Sequence, residues 1–232
     1  MTKQSIPALA RRSFLSRFGI GVAAFGSAFG SGAALAQAPA APASRWQPTR
    51  HPQDDWLDRV PGQHRMIFDS TMPDGLGGAM FYANNLFTAN QNGYGLASSE
   101  VAIVIVMRHN STPFAYTDAI WAKYGAPLSE RARIVDPKTG QAPKVNINNA
   151  STPQNFGATL DGLIAKGAHF AVCEMATRRL AGTIAQATSG NAEAVYNELV
   201  ANLIGNAHMV AAGILAVNRA QERGYAFASA GV

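Results

Sequence analysis

The chain contains a single cysteine, Cys173, at the end of the apolar run His169–Cys173. A short apolar run predicts a buried strand, and at the point where a parallel strand gives way to a helix, amide groups of the helix favour a thiolate. A thiolate can attack a sulfur donor and hold the transferred sulfur as a persulfide. Unpaired cysteines are also among the most buried residues, so the same pattern suits an inert core position. Both interpretations of Cys173 stay open at this point.

Other polar residues follow the predicted strands in the same way. They are Asp69, Ser70, Arg108, His109, Glu174 and Gly213. In open parallel sheets ligands bind beyond the carboxyl ends of the strands, so we predict that these residues converge on one site. Arg108 and a protonated His109 would lower the pKa of the Cys173 thiol, which makes Cys173, His109 and Arg108 the candidate catalytic set. Asp69, Ser70, Glu174 and Gly213 are the candidate pocket residues.

The histidines have other interpretations too. His109 also suits a general base, a metal ligand, a capping residue or a solvent-facing loop histidine. The remaining histidines have no metal-ligand spacing, so no metal site is expected. The segment Gly75-Leu76-Gly77-Gly78 lacks the spacing of a dinucleotide-binding turn and the lysine of a P-loop, and no bound cofactor is expected.

Strand and helix patterns alternate along the chain, which predicts an α/β fold with a mostly parallel five-stranded sheet and helices on both faces. The predicted strands cover 65–69, 101–107, 169–173, 208–212 and 225–228, and the helices include 114–124 and 178–187. Residues 126–155 interrupt this rhythm, with a turn at 136–140 that we interpret as a hairpin. A loop of this length is typical of a lid, an oligomer arm or a flexible insertion.

Composition limits the classes of function. Hydrophobic residues make up 47% of the chain and charged residues 14%, which excludes a disordered or coiled-coil protein. The net charge of +5 comes largely from the first 36 residues, which hold four basic and no acidic side chains. The remainder is almost neutral and has no basic patch in its sequence, so nucleic-acid binding is not expected.

The N-terminal residues predict export. Ala10-Arg11-Arg12-Ser13-Phe14-Leu15 precedes a short apolar stretch interrupted by glycines, which indicates a twin-arginine (Tat) signal peptide over 1–36. Glycines dilute the stretch below the hydrophobicity of a stable membrane anchor, and Ala34-Leu35-Ala36 supplies a small-x-small cleavage site. We therefore predict a periplasmic protein cleaved near Ala36, with a linker and irregular lead-in over 37–63 and one domain over 64–232.

Three stretches together resemble the DsrE/DsrF-like family of sulfur-relay and related proteins. They are Val101–Tyr124, Phe170–Met175 and His208–Ala228. They resemble, in order, the second strand with its histidine and helix, the strand that ends in the family cysteine, and the closing strand–Gly–helix–strand unit. The resemblance implies a three-layer α/β/α domain over about residues 64–230 that forms homo-oligomers. It also implies that Cys173 carries sulfane sulfur and that His109 lies in the pocket.

Two classes of function follow. The first is a periplasmic DsrE-like sulfane-sulfur carrier or sulfurtransferase-like protein, acting through Cys173 on a small sulfur-containing ligand or a protein sulfur acceptor. The alternative is a non-catalytic oligomeric ligand-binding or assembly module in which Cys173 belongs to the core. A third hypothesis is a small redox ligand bound at the polar rim and loaded before export.

Overall fold

The computed structural model describes residues 47–230, so the predicted signal peptide and cleavage site lie outside the described residues. Five parallel strands form one sheet in the order β4-β3-β2-β1-β5. They are β1 (His64–Ser70), β2 (Val101–Met107), β3 (His169–Cys173), β4 (Ala207–Val210) and β5 (Ala226–Ser229). The prediction of an α/β fold with a five-stranded parallel sheet is confirmed.

Helices cover both faces of the sheet. They are α1 (Trp56–Arg59), α2 (Pro73–Tyr94), α3 (Asp118–Ala132), α4 (Leu160–Ala165), α5 (Glu174–Thr188), α6 (Ala192–Ala201) and α7 (Gly213–Gln221). Helices α2 to α6 contribute to one apolar core and α1 and α7 to the other, which gives three layers. None of the helices within 47–230 combines the length and apolarity needed to cross a membrane.

Side chains of the central strands alternate between the two cores. In β2, Ile103 and Ile105 belong to the core that includes α2 to α6, whereas Val104 and Val106 belong to the core that includes α1 and α7. All seven residues of β2 are buried, as the unbroken run of β-branched residues requires for a central parallel strand. In β3, Ala171 lies on the α7 face, so the two-residue period places Cys173 on that face too.

The bounds of both predicted helices differ from those observed. Helix α3 begins at Asp118 rather than at Phe114, which lies in a preceding 3-10 turn. Helix α3 continues through Gly125 to Ala132, with non-helical dihedral angles at Tyr124. The lack of a Cβ at Gly125 leaves room for the Pro143 carbonyl, and Pro127 is tolerated in the first turn after the kink. Helix α5 begins at Glu174, directly after Cys173, rather than at Arg178.

The segment between α3 and α4 contains no strand, so the predicted hairpin is wrong. The turn itself is present, since the Gly140 amide donates to the Asp136 carbonyl at 2.8 Å. Asn146 attaches the segment to the domain: its amide Nδ2 donates to the carbonyls of Phe114 and Tyr116, at 2.8 and 3.0 Å. Buried asparagines thus take the place of ladder hydrogen bonds, which an irregular backbone cannot supply.

Candidate functional site

The path of the chain creates a crevice at the carboxyl ends of β3 and β4. The helices that follow β1, β2 and β3 pack on one face of the sheet, but α7, which follows β4, packs on the other. Adjacent strands whose connections leave toward opposite faces form the usual ligand crevice of open α/β sheets. Cys173 ends β3 and Gly213 begins α7, so both lie at this crevice.

Cys173 occupies the N-cap position of α5 and its side chain makes no capping hydrogen bond. The residue is 7% exposed and lines a cavity of about 180 Å³. Its thiol is therefore near the positive end of the α5 dipole, which stabilises a negative charge at a helix N-terminus. The sulfur is shielded from bulk water and yet faces a space that admits a small molecule.

Arg108 lines the same cavity and is held rigidly by Asp69. Its Nε donates to Asp69 Oδ1 at 2.8 Å and its Nη2 to Asp69 Oδ2 at 2.7 Å, a two-pronged pair with the carboxylate almost fully buried. These hydrogen bonds are the main reason that the pKa of Arg108 is raised, and the charge of Cys173 raises it further. Arg108 therefore keeps its positive charge at the cavity that Cys173 also lines.

Gly213 leaves the space that the Arg108 side chain occupies. A Cβ at this position would lie 2.8 Å from Arg108 Cβ and 2.9 Å from both Arg108 Cδ and Val106 Cγ1. Such distances are closer than packed carbon atoms allow. The glycine is thus required by close packing of α7 against the arginine.

Two further arginines, Arg131 and Arg179, also line the cavity. Arg131 lies in the last turn of α3 and Arg179 in the second turn of α5. Neither has a carboxylate within ion-pair distance among residues 47–230, and the Nε of Arg131 is buried without a hydrogen-bond partner. Burial, followed by repulsion from Arg179 and Arg133, lowers the pKa of Arg131. The cavity therefore holds more positive than negative charge.

The other predicted site residues lie around this cavity in different ways. His109 lines it and is exposed, with a left-handed backbone (φ 61°) in the turn that follows β2. Ser70 is buried behind it, where its hydroxyl donates to the Val106 carbonyl at 2.6 Å. Glu174 does not line the cavity; its carboxylate binds Arg178 at 2.8 Å and Tyr196 at 3.1 Å.

A pair of buried hydroxyl groups, from Thr177 and Tyr116, holds the backbone at Cys173. Thr177 Oγ1 donates to the Cys173 carbonyl at 3.0 Å and lies 2.8 Å from the Tyr116 hydroxyl. Burial is the largest cause of the raised pKa of Tyr116, so its phenol stays neutral. The turn from β3 into α5 is held by buried, uncharged groups.

Sequence reasoning missed Arg131 because it ended α3 at Tyr124, and it missed Arg179 because it considered only the residues that directly follow the strands. The adjacent arginines Arg178 and Arg179 were a usable signal, since neighbouring helix positions face about 100° apart. Arg178 turns outward, with its guanidinium 3.8 Å from the Tyr196 ring centroid, while Arg179 reaches the cavity.

No second site with a thiol or a group of metal ligands is found among residues 47–230. Within 47–230 no group of three histidine, cysteine or acidic side chains is placed to hold a metal ion. A larger cavity of about 510 Å³ between α3 and α4 is lined by Asp118, Asp136 and polar loop residues. It contains no nucleophilic thiol, because Cys173 lies at the other cavity.

The arrangement can bind a small anion next to a thiol and stabilise negative charge on that sulfur. It contains a nucleophile at a helix N-terminus, a fixed cation and two cations without carboxylate partners. Comparison with known proteins adds no assignment: no family model matches the chain, and no curated protein or solved structure matches it significantly.

Proposed function

We propose that the protein is a DsrE-like sulfane-sulfur carrier, or a sulfurtransferase-like protein, that acts through Cys173. The observation that supports this most directly is the position of the thiol at the N-terminus of α5 in a cavity that also contains arginines. A sulfur enclosed by aliphatic side chains, without a cavity or a cation, would have favoured the alternative of a core cysteine. The three-layer fold agrees with the resemblance but does not by itself indicate sulfur transfer.

The proposed step is a thiol–persulfide exchange. The Cys173 thiolate attacks the outer sulfur of a donor that contains a sulfur–sulfur bond, and a new bond forms between the two sulfurs. The donor's own sulfur–sulfur bond breaks, and its electron pair leaves on the remainder of the donor. Cys173 then carries a persulfide anion, and no oxidant or reductant is consumed.

Arg108 and the α5 N-terminus stabilise the anion before and after transfer. Arg108 is fixed by Asp69 and does not have to be reoriented during the step, which is how preorganised charges reduce a barrier. Exposed Met175 and Ile214 flank the cavity, at 67% and 59% exposure, and offer apolar contacts to a protein sulfur acceptor. We propose that this exchange takes place in the periplasm, in a homo-oligomeric form of the cleaved chain.

The test is sulfur uptake by the intact protein. After brief exposure to cysteamine hydropersulfide, mass spectrometry is expected to show the addition of one sulfur atom. The adduct should disappear on reduction and should be absent in Cys173→Ala. Cys173→Ser, which retains a polar side chain of similar size, provides a second control for folding.

Absence of sulfur uptake by the wild-type protein would overturn the proposal. If Cys173 also resisted a brief alkylation in the folded state, it would be a core residue, and the assembly or binding module would be favoured. Uptake that persists in Cys173→Ala would equally contradict the proposal. Cys173 is the single cysteine of the sequence, so the sulfur would then be held by some other group.

A further inference from the structure

The cavity has an imbalance of charge that the proposed carrier function does not by itself require. Asp69 compensates Arg108 through two hydrogen bonds, but Arg131 and Arg179 have no carboxylate partner among the described residues. Glu174, the nearest acidic residue in sequence to Cys173, binds Arg178 and Tyr196 on the far side of α5. A bound anion would supply the missing negative charge.

The origins of the three arginines also point to a ligand. Arg108 follows β2, Arg131 ends α3 and Arg179 belongs to α5, so three separate elements bring guanidinium groups to one space. Arg131 Nε is buried without a hydrogen-bond partner among residues 47–230, so no protein group compensates the free-energy cost of burying it. Planar guanidinium groups from several directions are the usual means of binding oxyanions.

The size and geometry of the cavity restrict the anion. At about 180 Å³ it is smaller than the roughly 300–1,000 Å³ of pockets for drug-sized ligands. A ligand that presents sulfur to Cys173 and oxygens to the arginines needs both atom types at opposite ends of a short molecule.

From these observations we infer that the cavity selects small inorganic dianions and that its sulfur donor is an oxyanion with a terminal sulfane sulfur, of which thiosulfate is the simplest. This inference rests on the proposed function and specifies its substrate class. The thiolate attacks the outer sulfur of thiosulfate, the sulfur–sulfur bond breaks, and its electron pair leaves as sulfite. One thiolate and one dianion give one persulfide anion and one sulfite dianion, so atoms and charge balance.

Anion selection is tested first without sulfur transfer, by comparing two alkylating reagents of similar size at Cys173. Iodoacetate is anionic and iodoacetamide is neutral. In Arg179→Gln the ratio of the iodoacetate rate to the iodoacetamide rate is expected to fall about fivefold, because one cation next to the thiol is lost. Lys144→Gln removes an exposed charge outside the cavity and should leave the ratio unchanged.

Inorganic sulfate, a dianion without sulfane sulfur, is expected to slow iodoacetate labelling of the wild-type protein at constant ionic strength. Chloride at the same ionic strength should slow it less. Equal ratios in the wild-type, Arg179→Gln and Lys144→Gln proteins, with no specific effect of sulfate, would overturn the inference. Arg179 is exposed on a helix surface, so its substitution is not expected to prevent folding.

Sulfur loading then separates the inference from the proposed function. Thiosulfate is expected to load wild-type Cys173 faster than it loads Arg179→Gln, while cysteamine hydropersulfide loads both proteins at similar rates. Loading by the hydropersulfide alone, with no reaction of thiosulfate, would overturn the inference and leave the proposed function intact. Loading by neither donor, with selective sulfate binding retained, would overturn the proposed function and reduce the site to an anion-binding pocket.

Discussion

The two ends of β3 place titratable side chains in opposite environments, one charged and one neutral. His169 begins the strand and Cys173 ends it, and both lie on the face covered by α7. At the Cys173 end, arginines from several elements meet at a cavity. At the His169 end, two imidazoles and an indole stack against one another. The same strand thus separates a region organised by charge from a region organised by neutral rings.

The histidine end is compact. His169 Nδ1 lies 2.9 Å from His208 Nε2, and the His208 ring stacks on Trp56 with centroids 4.0 Å apart and planes 12° apart. Burial is the main cause of the lowered pKa of His208, which falls to about 4; the charges of His169 and Arg59 lower it further. Burial also lowers the pKa of His169. Partial burial without a carboxylate keeps both rings neutral.

The cysteine end shows what a single carboxylate changes. Asp69 forms an ion pair with Arg108 and raises the pKa of Arg108, although partial burial of the guanidinium acts to lower it. Arg131, without such a partner, has a lowered pKa in the same cavity. The placement of one acid, more than burial, therefore decides whether an arginine at this cavity is structural or available to a ligand.

The largest expected effect is the loss of that acid. Asp69→Asn leaves the partly buried guanidinium of Arg108 without its counter-charge, and is expected to lower the free energy of unfolding by about 2–3 kcal/mol. Urea denaturation measures the change. Glu193→Gln, which removes only an exposed partner of Arg178, should lower the free energy of unfolding much less. Similar costs for the two variants would mean that the cysteine end is not organised by charge.

A smaller effect is expected from filling the space beside Arg108. Gly213→Ala places a methyl group against Arg108 and Val106 and should lower the free energy of unfolding by about 1–2 kcal/mol, with slower alkylation of Cys173. Gly182→Ala is the matched control. No atom lies within 4 Å of a Cβ added to Gly182 in α5, so that change should stabilise the helix by about 0.5–1 kcal/mol. Stabilisation by both substitutions would contradict the close packing of α7 on Arg108.

The smallest effect belongs to the histidine end and depends on pH. Since the folded pKa of His208 is about 4 against an ordinary value of 6.5, its contribution is present above pH 6.5 and is lost as pH falls toward 4. Because the ring is only partly buried, we expect a loss of only about 1 kcal/mol across that window. Unfolding of the wild-type and His208→Gln proteins between pH 5 and 7 measures the difference in slope, with exposed His64→Gln as the control. Parallel slopes for the wild-type and His208→Gln proteins would show that the stack does not resist protonation.

The sequence predicts the strands better than it predicts the site. The bounds of β2 and β3 were predicted as observed. Both are almost entirely apolar runs, which is typical of a parallel strand covered by helices on both faces. Arg131 was missed because Gly125 was taken as the end of the helix, whereas in the fold this glycine lies inside α3 and makes room for the Pro143 carbonyl. The meeting of His169 and His208 depends on strand order and register, with Phe170 opposite Ala207 and Ala171 opposite His208, and no local pattern specifies either.

The pairing of β5 with β1 has a consequence for the order of assembly. The final strand joins the sheet beside residues 66–69, so β1 obtains its second neighbour only after the whole domain has emerged from the ribosome. Asp69 is the last β1 residue in this pairing, and it is also the group that orients Arg108. A chain shortened before Ala226 would therefore leave β1 as an edge strand at the position where Asp69 holds Arg108, so we expect the cavity at Cys173 to be complete only after the last strand has paired.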